Sequence, residues 1–366
     1  MPARPRLSVR FPRQPRRGSV VLFVLGVILL TSFLLTRLID RAAGELLAET
    51  KAATRTALRD EAYSALEVTL AVLADVSAND NGLHSPQQGW SDPLEYAGYE
   101  PPAGYQIVVS FEDETGKLPL ASTSDSVLQH YLETIGATTI QAERLADALL
   151  GWTKSDYIPS FSEADPRTYE NSALPYAPPH RALRTFEELR AVAVARELFF
   201  DADGRWTELG DKFRADASLF SFSKVNINTA RPSVLVAMGV NTAQAVALTD
   251  ELTATADPAR APKFYRSIDQ AATEHGAELS QFGFGADIQC LRVRVIVHRG
   301  ATVFSLEAVV QPGSSSRAAA TAPLATVTPD PNAPVATPVD PRALTRKSID
   351  YPFSILELRE TDGPAQ

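Results

Sequence analysis

The sequence SVVLFVLGVILLTSFLLT occupies residues 19–36 and contains no charged side chain. At 1.5 Å per residue, a helix of this length spans roughly 27 Å, which is close to the hydrocarbon thickness of a bilayer. Six arginines and no acidic residue precede it in residues 1–18. Basic residues stay on the cytoplasmic side of a membrane, so this pattern predicts a membrane-spanning helix whose C-terminal body lies on the outer face.

A removed secretory signal peptide is the alternative interpretation of this segment. The apolar region of a signal peptide is usually about 7–15 residues long and ends in small residues that form a cleavage site. Here the segment continues into Arg37, Leu38, Ile39 and Asp40, without an Ala-x-Ala pattern. A retained anchor is therefore favoured over a removed signal.

Helical periodicity continues beyond the apolar segment. No proline occurs between Pro15 and Pro86, and apolar residues recur at helical spacing from Leu38 to Val76. We expect one continuous helix from Ser19 to about Val76, apolar on all sides in its first part and amphipathic in its second. Such a helix suits a subunit that packs helix against helix in a filament.

Charge argues against nucleic acid as a partner. The net charge of the 366 residues is −9, and without the six leader arginines it becomes −15. Phosphate binding needs clustered Lys and Arg, which an acidic body does not offer. The lone Cys290 cannot form an internal disulfide and is compatible with any compartment.

The remainder of the chain predicts an α+β fold. Alternating apolar residues indicate strands at 105–111, 290–298, 302–310 and 353–358. Short helical patterns lie at 127–135, 140–150, 185–198, 232–238, 243–252 and 267–272. A long N-terminal helix thus packs on a small antiparallel sheet, into which a large all-helical segment is inserted.

These patterns divide the chain into eight segments, the fifth of which we call the helical insert. They are the basic leader 1–18, the membrane-spanning part of the helix 19–36, its outer part 37–78, the first strand with its loops 79–121, the helical insert 122–283, the sheet hairpin 284–311, a Pro/Ala-rich linker or loop 312–345, and the last strand and tail 346–366. Residues 199–216 look like extra length inside the insert.

The N-terminus resembles the precursors of type IV pilins and pseudopilins. These carry a basic leader ending in glycine, then a small or aromatic residue and an apolar helix, as in Arg16-Arg17-Gly18-Ser19. The resemblance implies cleavage between Gly18 and Ser19. Most members have glutamate at mature position five, where this chain has Phe23. The minor pseudopilin K of type II secretion is the subunit that lacks this glutamate.

An internal string strengthens the resemblance to the pseudopilin K family. Asn226-Ile227-Asn228-Thr229-Ala230 is similar to the asparagine-rich motif of that family, whose insert is SAM-like or helix-hairpin-helix-like. Earlier in the chain, the segments 112–118, 146–152, 175–176 and 185–192 also resemble segments of that family and occur in the same order. The likeness covers roughly residues 12–311. From the residues alone, Asn228 or Thr229 is predicted to cap the helix that begins near Pro232.

The resemblance implies a function in assembly. A minor pseudopilin K caps the tip of a short periplasmic pseudopilus and helps to start its growth for the export of folded proteins. It implies a single-pass inner-membrane protein with a periplasmic body and a methylated mature N-terminus. Implied partners are the prepilin peptidase, the major pseudopilin and the minor pseudopilins I, J and H, and not nucleic acid or a small-molecule substrate.

No enzymatic activity is predicted. The sequence has no G-x-S-x-G, P-loop, H-E-x-x-H or G-x-G-x-x-G string. The five histidines have no ligand spacing and are interpreted as surface or strand residues. Two alternatives stay open: a membrane-anchored helix-hairpin-helix DNA receptor of a competence system, and a hydrolase held by a signal anchor. Met238-Gly239-Val240-Asn241, followed by Asp250 and Glu251, lacks the basic hairpin of the former.

Calcium is the one metal that the resemblance suggests, in the insert. Asp156, Glu163 and Asp165 are the candidate ligands, because calcium takes about six to eight oxygens and favours carboxylates. Gly151 and Lys154 stand where the family usually has acidic residues. These substitutions predict a weakened or lost site, or a loop ordered by packing instead.

Overall fold

The computed structural model describes residues 19–171, 175–253, 263–313 and 352–363. The predicted leader, residues 1–18, and most of the Pro/Ala-rich stretch 312–345 lie outside the described residues. The chain divides into two compact units, one up to Arg59 and one from Asp60 onward.

Helix α1 runs from Ser19 to Asp80 as one uninterrupted element. The predicted long helix is therefore confirmed, with an end four residues later than Val76. It stops where Asn81 adopts a left-handed conformation, φ +59°, and the Gly82 N–H donates to the Ser77 carbonyl at 3.0 Å. A left-handed residue of this kind commonly closes a helix by satisfying its last carbonyls.

The main sheet has four antiparallel strands in the order β1-β6-β7-β8. Their bounds are β1 Tyr105–Asp113, β6 Leu291–Arg299, β7 Thr302–Pro312 and β8 Phe353–Asp362. All four predicted strands are thus present. In β6 the residues Leu291, Val293, Val295 and Val297 are buried, as expected from their alternation with polar residues. Gly300, with φ +58°, makes the turn from β6 to β7.

The other α-helices are short and lie almost entirely in the insert. They are α2 Pro93–Tyr96, α3 Asp125–Thr134, α4 Thr139–Thr153, α5 Pro166–Glu170, α6 Ala193–Phe199, α7 Glu208–Asp216, α8 Pro232–Ala237, α9 Thr242–Thr253 and α10 Ile268–His275. Side-chain oxygens of Ser124, Thr138, Thr207 and Ser267 cap the N-termini of α3, α4, α7 and α10. These caps satisfy N–H groups that have no partner inside a helix.

The insert is not purely helical, which corrects one expectation. Its strands β3, Ala217–Ser218, and β4, Val225–Asn226, pair in parallel with β2, Leu118–Pro119, and β5, Phe284–Gly285. Two-residue strands carry no alternation, so a sequence pattern cannot reveal them. Both pairs join the insert to segments just outside it.

The helix predicted over 185–198 is also divided. A 3₁₀-helix, Phe186–Ala191, is separated from α6 by Val192, whose ψ of 118° is extended. The extra length 199–216 forms a bridge between Phe200 and Trp206 and then α7. Gly210 fits here because a Cβ would lie 2.6 Å from the Phe199 carbonyl oxygen.

Candidate functional site

The first candidate site is the exposed apolar part of α1, within the unit that ends at Arg59. Its large apolar side chains from Val20 to Leu35 are between 43% and 72% exposed. The mean hydropathy of its most apolar window is 2.4, and none of that window is buried. By length and composition this helix can cross a membrane. Water is a poor environment for such a surface, so a bilayer or other helices must cover it.

The predicted processing residues lie at the start of this helix. Ser19 is the first residue of α1, and Gly18 lies outside the described residues. Phe23, at mature position five, is 72% exposed. An apolar ring at this position offers no hydrogen bond to a neighbouring group.

The second candidate site is a buried polar cluster around Asn226, which we call the asparagine junction. Asn226 Nδ2 donates to the His84 carbonyl at 2.9 Å and to Asp113 Oδ2 at 2.7 Å. Asn226 Oδ1 accepts from the backbone N–H and the side-chain amide of Asn228, at 3.1 and 3.2 Å. One fully buried side chain thus links the insert to the end of β1 and to the loop after α1.

Asn228 extends the asparagine junction to two further loops. Its Nδ2 donates to the carbonyls of Tyr265 and Ala286, at 2.9 and 3.1 Å. Its Oδ1 accepts from the Tyr265 N–H at 2.7 Å. Buried amides are costly when unpaired, so two saturated asparagines define how these segments meet.

Thr229 and Ala230 complete the motif by close packing. Thr229 Oγ1 donates to Asp113 Oδ2 at 2.5 Å, and the Ala230 N–H donates to the Asn226 carbonyl at 3.0 Å. A Cβ on Gly116 would lie 2.5 Å from Thr229 Oγ1 and 2.8 Å from the Thr229 carbonyl carbon. Only glycine leaves room for this approach.

The predicted capping role of Asn228 or Thr229 is wrong. Helix α8 begins at Pro232, its N-cap is Arg231, and no side chain caps it. Asn228 and Thr229 lie too early in the chain for that position, and their polar atoms are used in long-range hydrogen bonds. The motif therefore joins distant segments instead of starting a helix.

Asp113, at the end of β1, is the acidic centre of the asparagine junction. Its Oδ1 also accepts from the Thr115 N–H at 2.8 Å. Burial raises the pKa of its carboxyl to about 6, against the hydrogen bonds from Thr229, Asn226 and Thr115 that favour the charged form. The junction therefore contains a carboxyl group that titrates near neutral pH.

Glu114 forms a second buried link, next to the first. Its side chain is 2% exposed and accepts from Ser218 Oγ of β3 at 2.8 Å and from Arg292 Nε of β6 at 2.8 Å. Arg292 also pairs with Glu307 of β7. A buried carboxylate needs such a partner, and here it ties the insert to two strands of the sheet.

His84 and Asp113 are the junction residues that sequence reasoning missed. His84 was interpreted as a surface or strand residue, but it is buried in the loop after α1. Its Nδ1 lies 2.9 Å from the Ala286 carbonyl oxygen and 3.1 Å from Asp287 Oδ1. The string Asp113-Glu114-Thr115-Gly116 was a usable signal for Asp113, because an Asp before Thr-Gly often accepts from the N–H two residues on.

The candidate calcium ligands are not brought together as a group. Asp156 is exposed, Asp165 accepts from the Arg167 N–H at 2.9 Å at the start of α5, and Glu163 pairs with Arg144 at 2.8 Å. Within the described residues, ligand atoms of three acidic or histidine side chains lie within 4.8 Å of one another only at Glu251, Glu274 and His275.

The Glu251 group is a set of ion pairs. The Lys263 ammonium pairs with both Glu251 and Glu274, and His275 Nε2 lies 3.0 Å from Glu251 Oε2. The ammonium ion already supplies the positive charge that a cation would bring. We therefore assign this group a structural role.

A different carboxylate orders the loop that holds the calcium candidates. Asp147 of α4 is buried, and its carboxylate accepts from Tyr157 Oη at 2.8 Å and from the N–H groups of Ser160 and Phe161 at 2.8 and 3.0 Å. These three hydrogen bonds order residues 157–161 without a metal ion. The alternative expectation of a loop ordered by its own packing agrees with this geometry.

Comparison with known proteins finds one matching family model and a similar solved structure. A family model described as type II secretion system (T2SS), protein K, matches residues 109–201. No protein with a curated description matches the chain. Among solved structures, the GspK-GspI-GspJ complex of the enterotoxigenic Escherichia coli type 2 secretion system has a chain that is 14% identical. The match covers 86% of this chain and 100% of that chain, with a TM-score of 0.54, and it shows a shared fold.

Proposed function

We propose that the chain is a member of the protein K family of type II secretion systems, a minor pseudopilin that caps the periplasmic pseudopilus and helps to start its assembly. In this proposal α1 anchors the protein in the inner membrane by a single pass, and the body lies in the periplasm. The protein acts by binding other subunits, not by catalysis.

The observation that carries this proposal is the uncovered apolar helix. Residues 19–36 carry no charged side chain and form an apolar surface around the whole helix. The helix then continues without a break as an amphipathic element that carries charged residues. A bilayer covers such a surface before assembly, and neighbouring helices can cover it afterwards. The same chain also carries a large folded body. A subunit that repeats along a filament does not need a body of this size, whereas a subunit at the end of the filament can accommodate it.

Processing at Gly18 is part of the proposal. The prepilin peptidase removes the leader between Gly18 and Ser19, and the new N-terminus is methylated. The Arg16-Arg17-Gly18 string directly before an apolar helix supports this. Mass spectrometry of the membrane form is expected to find a methylated Ser19 as the first residue; an N-terminus at Met1 or beyond Thr36 contradicts it.

Phe23 supports the proposed tip position. Glutamate at this position can place its carboxylate near the terminal amine of a neighbouring subunit, where an unpaired charge in a dry helix bundle is costly. Phe23 cannot make this pairing, so a subunit position without that requirement fits it best. Minor pseudopilins I, J and H and the major pseudopilin are the proposed neighbours.

Secretion in a deletion strain tests the proposal as a whole. Removal of the gene is expected to abolish export of folded substrates, and the full chain restores it. A chain in which Leu29 and Leu30 are both replaced by Asp is expected to fail, because two charges in the apolar segment prevent insertion. The matched control replaces both by Val, and it is expected to restore export. Restoration by the Asp variant contradicts the proposal.

A further inference from the structure

Arg37 lies inside the last turn of the apolar part of α1. It follows Thr36 and precedes Leu38 and Ile39, which are 64% and 58% exposed. Residues 19–39 contain this one charged side chain. Their 21 residues span roughly 31 Å, which matches a hydrocarbon core of about 30 Å. If α1 is inserted as proposed above, the backbone of Arg37 lies at the outer boundary of that core.

The two arginines at this end of the segment have different partners. Arg41 Nε donates to Glu45 Oε1 at 2.8 Å, so its charge is neutralised on the same helix. The Arg37 guanidinium carbon lies 5.5 Å from the centre of the Phe33 ring, one turn earlier. Across the part of the chain that the structure describes, Arg37 forms no ion pair with a carboxylate.

An unneutralised guanidinium at this depth needs an acceptor at the interface. A charge held in hydrocarbon is costly, but the long arginine stem lets the head group reach the membrane surface. The Phe33 ring covers one face of the guanidinium and leaves its N–H edge open. That planar edge matches two oxygens of a phosphate group.

We propose that Arg37 binds the phosphate groups of anionic phospholipids in the outer leaflet of the inner membrane, and thereby sets the depth of α1. This inference rests on the proposed membrane insertion. Basic residues are normally in excess on the cytoplasmic side, so an arginine at the opposite boundary calls for a specific partner. Phosphate oxygens occur at this depth and carry the required negative charge.

The test uses the full mature chain in vesicles of phosphatidylcholine alone or with about one third phosphatidylglycerol. A fluorophore on Val27→Cys, in a Cys290→Ser chain, reports depth through quenching by lipids labelled along their acyl chains. In the parent chain, added phosphatidylglycerol is expected to move the fluorophore toward the outer surface by roughly 1.5–3 Å, one or two residue rises. Arg37→Gln is expected to abolish this shift.

Two variants separate lipid binding from a general effect of charge. Arg41→Gln removes the same charge one turn later and is expected to keep the shift, because Arg41 is already paired. Arg37→Lys is expected to restore it in part, since an ammonium ion binds phosphate without the planar fork. Equal loss in both glutamine variants, or an unchanged shift in Arg37→Gln, overturns the inference. A parent chain extracted by alkaline carbonate overturns the proposed anchoring as well.

Discussion

At the scale of single residues, the asparagine junction depends on side chains that have no substitute. Asn226 offers two N–H donors and one acceptor oxygen, and all are used in a site that excludes water. Glutamine is the only other side chain that carries an amide NH2 group and a carbonyl oxygen, and it is longer by one methylene group. Removal of one such partner leaves several buried groups unsatisfied, each at a cost of about 1–3 kcal/mol.

Asn226→Ala is expected to lower the free energy of unfolding by about 2–4 kcal/mol, because it unpairs the His84 carbonyl, Asp113 and Asn228 together. Denaturant unfolding of the soluble body, residues 60–366, measures this. Asn241→Ala is the control: Asn241 is exposed and its side-chain oxygen accepts from the Ala243 N–H at the start of α9, so a loss of about 1 kcal/mol or less is expected. Equal losses in the two variants contradict the role given to Asn226.

Gly116→Ala tests the close approach at Thr229. The added methyl group meets Thr229 backbone atoms that cannot move alone, so we expect a loss of about 1–3 kcal/mol in the free energy of unfolding. Gly44→Ala in the full chain is the control, since no atom beyond the neighbouring residues and the backbone of its own helix lies within 4 Å of its Cβ position. Rescue of Gly116→Ala by Thr229→Ala, which removes Oγ1, would show that the side chain, and not the backbone, causes the clash.

At the scale of elements, the junction joins the end of β1, the loop after α1 and the start of the α8 region. Two titratable groups lie in these connections. Burial raises the pKa of Asp113 to about 6. For His84, burial acts to lower the pKa, but the Asp287 carboxylate and the Ala286 carbonyl outweigh it and raise the pKa above its usual range.

Stability of the body is expected to fall as the pH rises from 5 to 7.5. Both groups have raised pKa values in the folded state, so each contributes stability that is present at low pH and is lost as the pH rises through its folded pKa. For Asp113 that loss begins above the ordinary carboxyl pKa of 3.8 and is nearly complete just above its folded pKa of about 6. Unfolding midpoints measured across this range should decrease with pH, and an increase contradicts the assignment.

Variants assign this pH dependence to its groups. Asp113→Asn is expected to remove the part of the slope between pH 5 and 6, which corresponds to about one proton at pH 5 and about half a proton at pH 6. His84→Gln is expected to leave that part and to flatten the slope at higher pH. A slope between pH 5 and 6 that survives Asp113→Asn would show that another group titrates there.

The loop between α4 and α5 is expected to keep its order without calcium. Asp147 already supplies three hydrogen bonds, and Arg144 neutralises Glu163. Calorimetric titration of the body with calcium at millimolar concentration is expected to show no binding, and Glu163→Ala with Asp165→Ala should leave the result unchanged. Binding that disappears in this double variant would restore the calcium site.

At the scale of the whole molecule, a long apolar helix and a large folded body share one chain. The body from Asp60 onward contains the sheet and the insert. The hydrogen bonds of Asn226 and Glu114 join the insert to the sheet. A subunit with this bulk is suited to the end of a helical filament, where it has no neighbour beyond it.

One copy per pseudopilus is therefore expected. Quantitative mass spectrometry of sheared or overproduced filaments should find this chain far below the major pseudopilin. Phe23→Glu restores the carboxylate of position five, and we expect it to raise incorporation only slightly, because the insert still limits stacking. Equal amounts of this chain and the major pseudopilin would contradict the tip position.

The sequence by itself determined the apolar helix, its continuation to within four residues of the end of α1 and the four strands of the main sheet. These features depend on hydropathy and on periods of 3.6 and 2 residues, which are local properties of a chain. Phe23, the Arg-Arg-Gly leader and the asparagine-rich string could also be recognised as a pattern, without any knowledge of what their side chains contact.

Only the tertiary structure decided what the asparagine motif does and which carboxylates are paired. Asn226 meets Asp113 across 113 residues of sequence, and Glu114 meets Ser218 across 104. The same holds for the two-residue strands β3 and β4, which exist only because a distant segment lies beside them. Asparagine and threonine side chains can cap a nearby helix or form hydrogen bonds to distant segments. Which of the two occurs depends on which buried polar group needs a partner, and the sequence alone does not reveal that.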